Sequence, residues 1–504
     1  MNSLTYTVAF EGIEARMVEV QCAITPGIPA FSIVGLPDKA VTEARERVRA
    51  ALSALAIALP PKRITVNLSP ADLPKAGSHF DLPIAIALLA AIDIIPLEVA
   101  HDMVALGELS LNGGLVAVNG ALPAAMAAAI QNKQLLCPDP CGAEAAWVDA
   151  ATVIAPRTLA DTVRHLTGKS VIAPSQAGEV TTDDNARDLA DVRGQERAKR
   201  ALEIGAAGRH HMMMIGTPGS GKSMLAARLP SILPPLTATE ALETSMIHSV
   251  SGLLDAGGIS RARPFREPHH TASMAAIVGG GRGALPGEMS LAHNGVLFMD
   301  EFPEFPRTVL ETLRQPIETG EVMVARANAH IKYPCKFMLV AAANPCKCGF
   351  LTDPARACSR APICGEDYLG RISGPLLDRF DLRVEVPPVA YTDLDLPQSG
   401  EPSADVAARV SKARDVQTER FKDHSHIRVN ADIEGRVLEE VASPDAEGRD
   451  LLSKVAEKFG LSARGYHRVL RVARTIADLD GAPDVRSPHV AEAVSYRLAS
   501  QKDV

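Results

Sequence analysis

The chain has 504 residues, more than one hydrophobic core organises, so it divides into two to four domains. Apolar residues make up 46% and charged residues 22%, the balance of a soluble globular protein. A net charge of −8 excludes nucleic-acid binding by bulk charge and leaves only a local basic surface for it, and eight cysteines in so long a chain exclude a secreted disulfide framework, which predicts a cytoplasmic protein.

The start, MNSLTYTVAFEG, has no basic leader and no long apolar run, so it does not read as a signal peptide. Residues 1–167 read as mixed α/β, with EARMVEVQCAI and KRITVNLSP as strands and VTEARERVRAALSALA as an amphipathic helix. The longest apolar stretch, Leu82 to Leu97, is interrupted by Asp93 and carries Pro83 and Pro96 near its ends, which predicts a core helix and no membrane span. Residues 168–188, GKSVIAPSQAGEVTTDDNARD, are polar and read as a linker. Residues 189–395 alternate helical segments with the short apolar runs HHMMMIG, GVLFMDE, FMLVAAAN and LRVEV, the pattern of a parallel sheet with crossover helices. Residues 396–504 open on a polar stretch and continue as helix only. The fold class is therefore α/β multidomain with a helical C-terminal part.

The strongest chemical signal is GTPGSGKS: Gly216, Thr217, Pro218, Gly219, Ser220, Gly221, Lys222 and Ser223. It follows an apolar run and precedes the helical segment SMLAARL, as a phosphate-binding loop does. Glycines allow backbone N–H groups to turn inward around phosphates, Lys222 can reach the β- and γ-phosphates, and the Ser223 hydroxyl can ligate Mg²⁺. In GVLFMDEF, four apolar residues deliver Asp300 and Glu301 to the end of a strand, where open parallel sheets bind ligands. Asp300 suits the Mg²⁺ shell and Glu301 suits the general base that polarises the attacking water. FMLVAAAN reads as the next strand of the same sheet, and the Asn344 amide at its tip can orient that water. ATP and Mg²⁺ are the cofactors these motifs predict.

GTPGSGKS, PGEMSLAHNGVLFMDEFPEF, NPCKCG, ISGPLLDRFDL and LSARGYHRVLRVARTIADL together resemble the YifB/ComM family of magnesium-chelatase-like AAA+ ATPases, and the resemblance covers essentially the whole chain. It implies a Lon-protease-like α/β domain over 1–167, an AAA+ core over 189–395 and a helical lid over 396–504. It also implies a homo-hexameric ring acting on branched or single-stranded DNA, with recombination proteins as partners. ComM-type members are similar to branch-migration helicases of natural transformation. Arg379, in LLDRFD, matches the arginine finger that reaches the neighbouring subunit's γ-phosphate. Arg464, in LSARGYHR, matches the sensor-2 arginine, and Val192 and Gly194, in DLADVRGQ, match the segment packing on adenine.

The stretch ETGEVMVARANAHIKYPCKFMLV reads as a hairpin. In the wider clade such a hairpin points into the pore, so Arg326 and Lys332 would meet DNA phosphates. Arg261, Arg263, Arg266 and Arg282 add charge in the preceding Gly-rich segment, and a ring multiplies these charges around one axis. Cys346, Cys348, Cys358 and Cys364 are spaced C-x-C-x₉-C-x₅-C. Two readings stay open: a tetrahedral structural Zn²⁺ site, or a loop of reduced thiols. The family shows its later cysteines as C-x-C; here Arg360 stands at the second position and Cys364 follows one turn later. In the N-terminal segment PKAGSHFDLP, His79 stands where an active Lon-type domain has its Ser, Ser78 is one residue early, and Leu122 stands where the activating Lys is expected. That predicts a non-catalytic domain. Two further functions remain as alternatives: a chelatase-type motor that remodels a protein partner, and a Lon-type protease.

Overall fold

A computed structural model describes residues 2–181, 187–254, 257–281, 284–326, 329–351, 356–388, 400–424 and 426–498. The chain begins with two long strands, Asn2–Glu11 and Glu14–Thr25, paired antiparallel from Asn2 opposite Ala23 to Glu11 opposite Glu14. Gly12, at φ +70°, makes the turn between them. The alternation of Val18, Val20 and Cys22 with polar residues turns one face of the second strand inward. These strands lie within a seven-stranded mixed sheet, in the order Ala30–Val34, Arg63–Ser69, Glu14–Thr25, Asn2–Glu11, Met103–Ala105, Gln134–Leu136, Val153–Ile154. The helix Asp81–Ala91 has no apolar stripe because every one of its residues is buried. It ends at Ile92, before Asp93 turns to φ +61°. No helix among the described residues is long and apolar enough to cross a membrane.

The polar segment 168–188 is not wholly irregular. Val180–Thr181 pairs in parallel with Ile259–Ser260, so a stretch expected to be a free linker is tied to the following region. The reason is tertiary: two residues of ladder need a partner strand, and no local pattern announces one.

Five strands form a parallel sheet, in the order Phe265–Arg266, Val296–Met299, Met338–Ala343, Met212–Ile215, Leu382–Glu385. Met212 aligns with Val340 on one side and Leu382 on the other. Parallel strands carry cover on both faces, hence the unbroken apolar runs. Met212, Met214, Val296, Phe298, Val340 and Val384 face one core. Met213, Leu297, Met299, Leu339 and Ala341 face a second, shared with Phe302, Phe380 and the hairpin residues Val322, Val324, Ile331 and Tyr333. The hairpin pairs Glu321–Arg326 with Ala329–Pro334.

The C-terminal part is helical: Ser403–Arg420, Gly435–Ala442, Ala446–Phe459, Ala463–Leu479 and Ser487–Leu498. Its apolar residues, among them Val410, Val472, Ile476 and Val490, lie in the same continuous core as Met212 and Leu202. The N-terminal part docks on the part that carries the five-stranded sheet at several places. Trp147 Nε1 donates to Gly257 O at 3.0 Å, and Gly120 N donates to Ser249 O at 3.2 Å. The turn at Gly12 rests on the hairpin, where a Cβ would fall 2.9 Å from Ile331 Cγ2 and 3.2 Å from Lys332 O.

Candidate active site

The strand Met212–Ile215 runs into Gly216–Gly221, and a helix begins at Lys222. Gly219 and Gly221 take φ +77° and +93°, a conformation open to glycine, so the loop can fold its N–H groups inward. Lys222 is buried, and its Nζ donates to Gly216 O at 2.8 Å, Thr217 O at 2.9 Å and Asn344 Oδ1 at 3.2 Å. Burial lowers the ammonium pKa, while Asp300 and Glu301 pull it back up. Ser223 Oγ donates to Asp300 Oδ2 at 2.6 Å, and Asp300 Oδ1 accepts from Glu301 N at 2.8 Å. Glu301 sits at φ +50°, a left-handed position that costs a non-glycine residue on the order of 1 kcal/mol.

Three neighbouring parallel strands therefore bring Lys222, Ser223, Asp300, Glu301 and Asn344 together at their C-terminal ends. The donor set suits ATP with Mg²⁺: a hydroxyl and a carboxylate as hard oxygen ligands, beside a buried ammonium for the phosphates. Thr217 and Ser220 are buried within the loop. Val192 is packed in the apolar core, and Gly194 stands at φ +62°. Beside them Gln195 Nε2 donates to Pro387 O at 2.6 Å, joining this segment to the far end of the sheet.

One neighbour escaped the sequence reading. His270 Nδ1 lies 3.2 Å from Glu301 Oε2. The only trace in the sequence is the doublet His269–His270 closing the arginine-containing segment, and a doublet does not say which carboxylate it meets. Glu267, in the same segment, has its carboxyl pKa raised by burial and by Asp300.

Arg379 and Arg464 stand elsewhere and share one partner. Arg379 is buried; its Nε donates to Arg314 O at 3.0 Å, Nη1 to Pro375 O at 2.6 Å, and Nη2 lies 2.7 Å from Glu318 Oε1. Arg464, with 72% of its side chain exposed, lies 3.9 Å from the same oxygen. Glu318 was not singled out from the sequence. It lies far along the chain from both arginines, in a helix with no motif of its own.

The candidate DNA contacts differ in availability. Lys332 projects from the hairpin, 64% exposed and 3.4 Å from Glu321. Arg266, read as a candidate phosphate contact, is held by both oxygens of Glu288 at 2.7 and 2.8 Å. Arg261 and Arg263 likewise donate to Leu236 O and Pro234 O. Arg326 ends the first hairpin strand. Its side chain, and Arg282 altogether, lie outside the described residues.

Beyond Asn344 the cysteines converge. Sγ atoms of Cys346, Cys348 and Cys364 lie within 4.8 Å of one another, with Cys346 and Cys348 3.0 Å apart. Cys358 lies close enough to influence the thiols of Cys348 and Cys364, outside the group of three within 4.8 Å. In the N-terminal part His79 is buried and its Nε2 donates to Val8 O at 2.9 Å; burial pushes its pKa down to about 4. The Phe10 ring packs on His79 and against Gly120, and Leu122 is fully buried.

Comparison with known proteins agrees along the whole length. The family described as "Magnesium chelatase, subunit ChlI" matches residues 188–394, "Subunit ChlI of Mg-chelatase" matches 18–140, and "Magnesium chelatase, subunit ChlI C-terminal" matches 400–497. The competence protein ComM of Haemophilus influenzae is 44% identical, covering 98% of this chain and 97% of its own. YifB of Escherichia coli strain K12 is 41% identical with the same coverage. The magnesium-chelatase 38 kDa subunit of Rhodobacter capsulatus is 26% identical over 60% of this chain and 86% of its own. The chain belongs to the YifB/ComM family of magnesium-chelatase-like proteins.

Proposed function

We propose that the protein is an ATP-hydrolysing motor of the AAA+ class, a cytoplasmic homo-hexameric ring that drives branch migration of DNA in recombination during natural transformation. One observation carries the ATPase: Lys222, Ser223, Asp300, Glu301 and Asn344 meet at the ends of adjacent parallel strands. In this reading Gly216–Ser223 cradles the phosphates, Ser223 and Asp300 hold Mg²⁺, and Val192 and Gly194 flank the adenine. Mg²⁺ supplies charge neutralisation on the phosphates when bound. Glu301 accepts the proton of the attacking water, Asn344 orients that water, Arg379 reaches the nucleotide of the next subunit as the arginine finger, and Arg464 serves as the sensor-2 arginine of the lid. Zn²⁺ on the four cysteines is a structural third cofactor.

Support for the DNA reading is the full-length similarity to a competence protein and an exposed hairpin lysine, Lys332. Residues 1–167 act as a non-catalytic Lon-like domain: His79 is committed to Val8 O, and the position of the activating Lys holds buried Leu122. That disfavours a protease. The chelatase descriptions of all three family matches favour a second reading, a chelatase-type motor that remodels a protein partner. ATPase rate with and without a four-way DNA junction separates the two. Stimulation together with junction movement is the expected result. Turnover indifferent to DNA would overturn the DNA reading and leave the remodelling motor.

A further inference from the structure

The cysteine cluster leans on the phosphate loop. Gly349 follows Cys348, and a Cβ there would fall 2.4 Å from Pro218 Cγ and 2.5 Å from Pro218 Cδ. The backbone at Gly349 therefore rests directly on the third residue of the loop. On its other side the same short segment begins at Asn344, whose Oδ1 receives Lys222 Nζ at 3.2 Å. Asn344–Gly349 thus touches the nucleotide site twice. It belongs to no helix or strand, so something other than a backbone ladder must hold it.

The sulfurs are placed to do that. Cys346 and Cys348 come from this segment; Cys364 comes from a second one and completes a group of three sulfurs within 4.8 Å, and Cys358, from that second segment, is the fourth thiol near them. Four ligands at about 2.3 Å from one tetrahedral ion stand roughly 3.8 Å apart, and the three grouped sulfurs lie within 4.8 Å of one another, with Cys346 and Cys348 3.0 Å apart. A polynuclear iron–sulfur cluster needs its cysteine sulfurs set wider than a single ion does. An all-thiolate tetrahedron selects zinc over hard cations. Cys346 and Cys364 are buried, which shields half of the ligand set from solvent.

We propose that Cys346, Cys348, Cys358 and Cys364 bind one Zn²⁺ ion, releasing their protons to solvent, and that the ion braces Gly349 against Pro218 so that zinc occupancy sets how tightly the loop binds ATP. The inference rests on the reading of Gly216–Ser223 as a nucleotide site. None of the four ligands is a phosphate ligand, so metal loss acts only through position.

Full-length protein purified without chelator should carry about one zinc per chain and no iron by elemental analysis. Affinity for a fluorescent, non-hydrolysable ATP analogue with Mg²⁺ is read in parallel. Cys348→Ser and Cys358→Ser should lose the zinc and weaken the analogue about tenfold, ~1.4 kcal/mol. Gly349→Ala should keep the zinc yet weaken binding to a similar extent. Cys22→Ser, in the N-terminal sheet, should change neither. If the cysteine variants fail to fold, wild-type protein stripped by a chelator, desalted and reloaded with zinc gives the same comparison. Absent zinc, or iron in its place, overturns the site. Zinc that can be removed without changing analogue affinity overturns the brace. Zinc-loaded protein that binds no ATP analogue overturns the nucleotide reading instead.

Discussion

Glu301 is an exposed member of the nucleotide cluster and sits in an unfavourable backbone conformation, at φ +50°. A strained residue persists only where its surroundings over-determine it. Glu301→Gln keeps size and backbone while removing the base, so ATP binding should persist while turnover falls by about 10²–10⁴. Binding and steady-state hydrolysis measured on one preparation check this; retained turnover would point to another base. Asp381 tests stability instead. It is buried, with Arg468 Nη1 at 2.6 Å and His211 N donating at 3.1 Å. Burial alone would raise its carboxyl pKa, but Arg468 and His210 outweigh that and hold it well below the usual carboxylate range. A depressed folded value means the pair's contribution is present above about pH 4 and is lost as pH falls further. Asp381→Asn should cost ~3–5 kcal/mol, read by denaturant unfolding at neutral pH, because Arg468 is left buried without its counter-charge. At this scale the sequence was legible where the chemistry is contiguous. Gly216 to Ser223 and Asp300–Glu301 each carry their meaning in a few neighbouring letters. His270 and Glu318 were not legible, because each gains its role from a side chain that only folding brings near. The burial of Arg379 under Arg314 and Pro375 was hidden for the same reason.

The phosphate-loop strand, the Asp300 strand and the hairpin were readable as elements because each is an apolar run bounded by a turn signal. The pairing of Val180–Thr181 with Ile259–Ser260 was not, since two residues carry no period. Nor could a sequence pattern say that the first turn of the chain meets the hairpin. That meeting is testable. Gly12→Val would place a Cβ 2.9 Å from Ile331 Cγ2 at a φ of +70° that β-branched residues avoid. The strain, on the order of 1–3 kcal/mol, should fall on the joint rather than on the parallel sheet. DNA-free ATPase should stay near the wild-type rate while stimulation by DNA drops. Equal loss of both rates would mean that the turn supports the whole fold and not the hairpin.

At the scale of the molecule, Arg379 and Arg464 meet at Glu318 and not at their own phosphate loop. Arg379→Ala should leave ATP binding intact but stop hydrolysis, and mixing it with Lys222→Ala should restore part of the rate, because an intact loop then meets an intact arginine from next door. ATPase assays across mixing ratios check this, and no recovery at any ratio would refute action between subunits. The continuous apolar core running from Leu189 to Tyr496 has a different consequence. The helical C-terminal part shares its interior with the parallel sheet, so it should not come away as a module. Heat should melt the parallel sheet and the C-terminal helices in a single cooperative endotherm, whereas the N-terminal sheet, which keeps separate apolar clusters, is free to melt apart from it. A fragment ending near residue 395 would present to water the face that Val410, Val472, Ile476 and Val490 now cover, and it should aggregate rather than hydrolyse ATP.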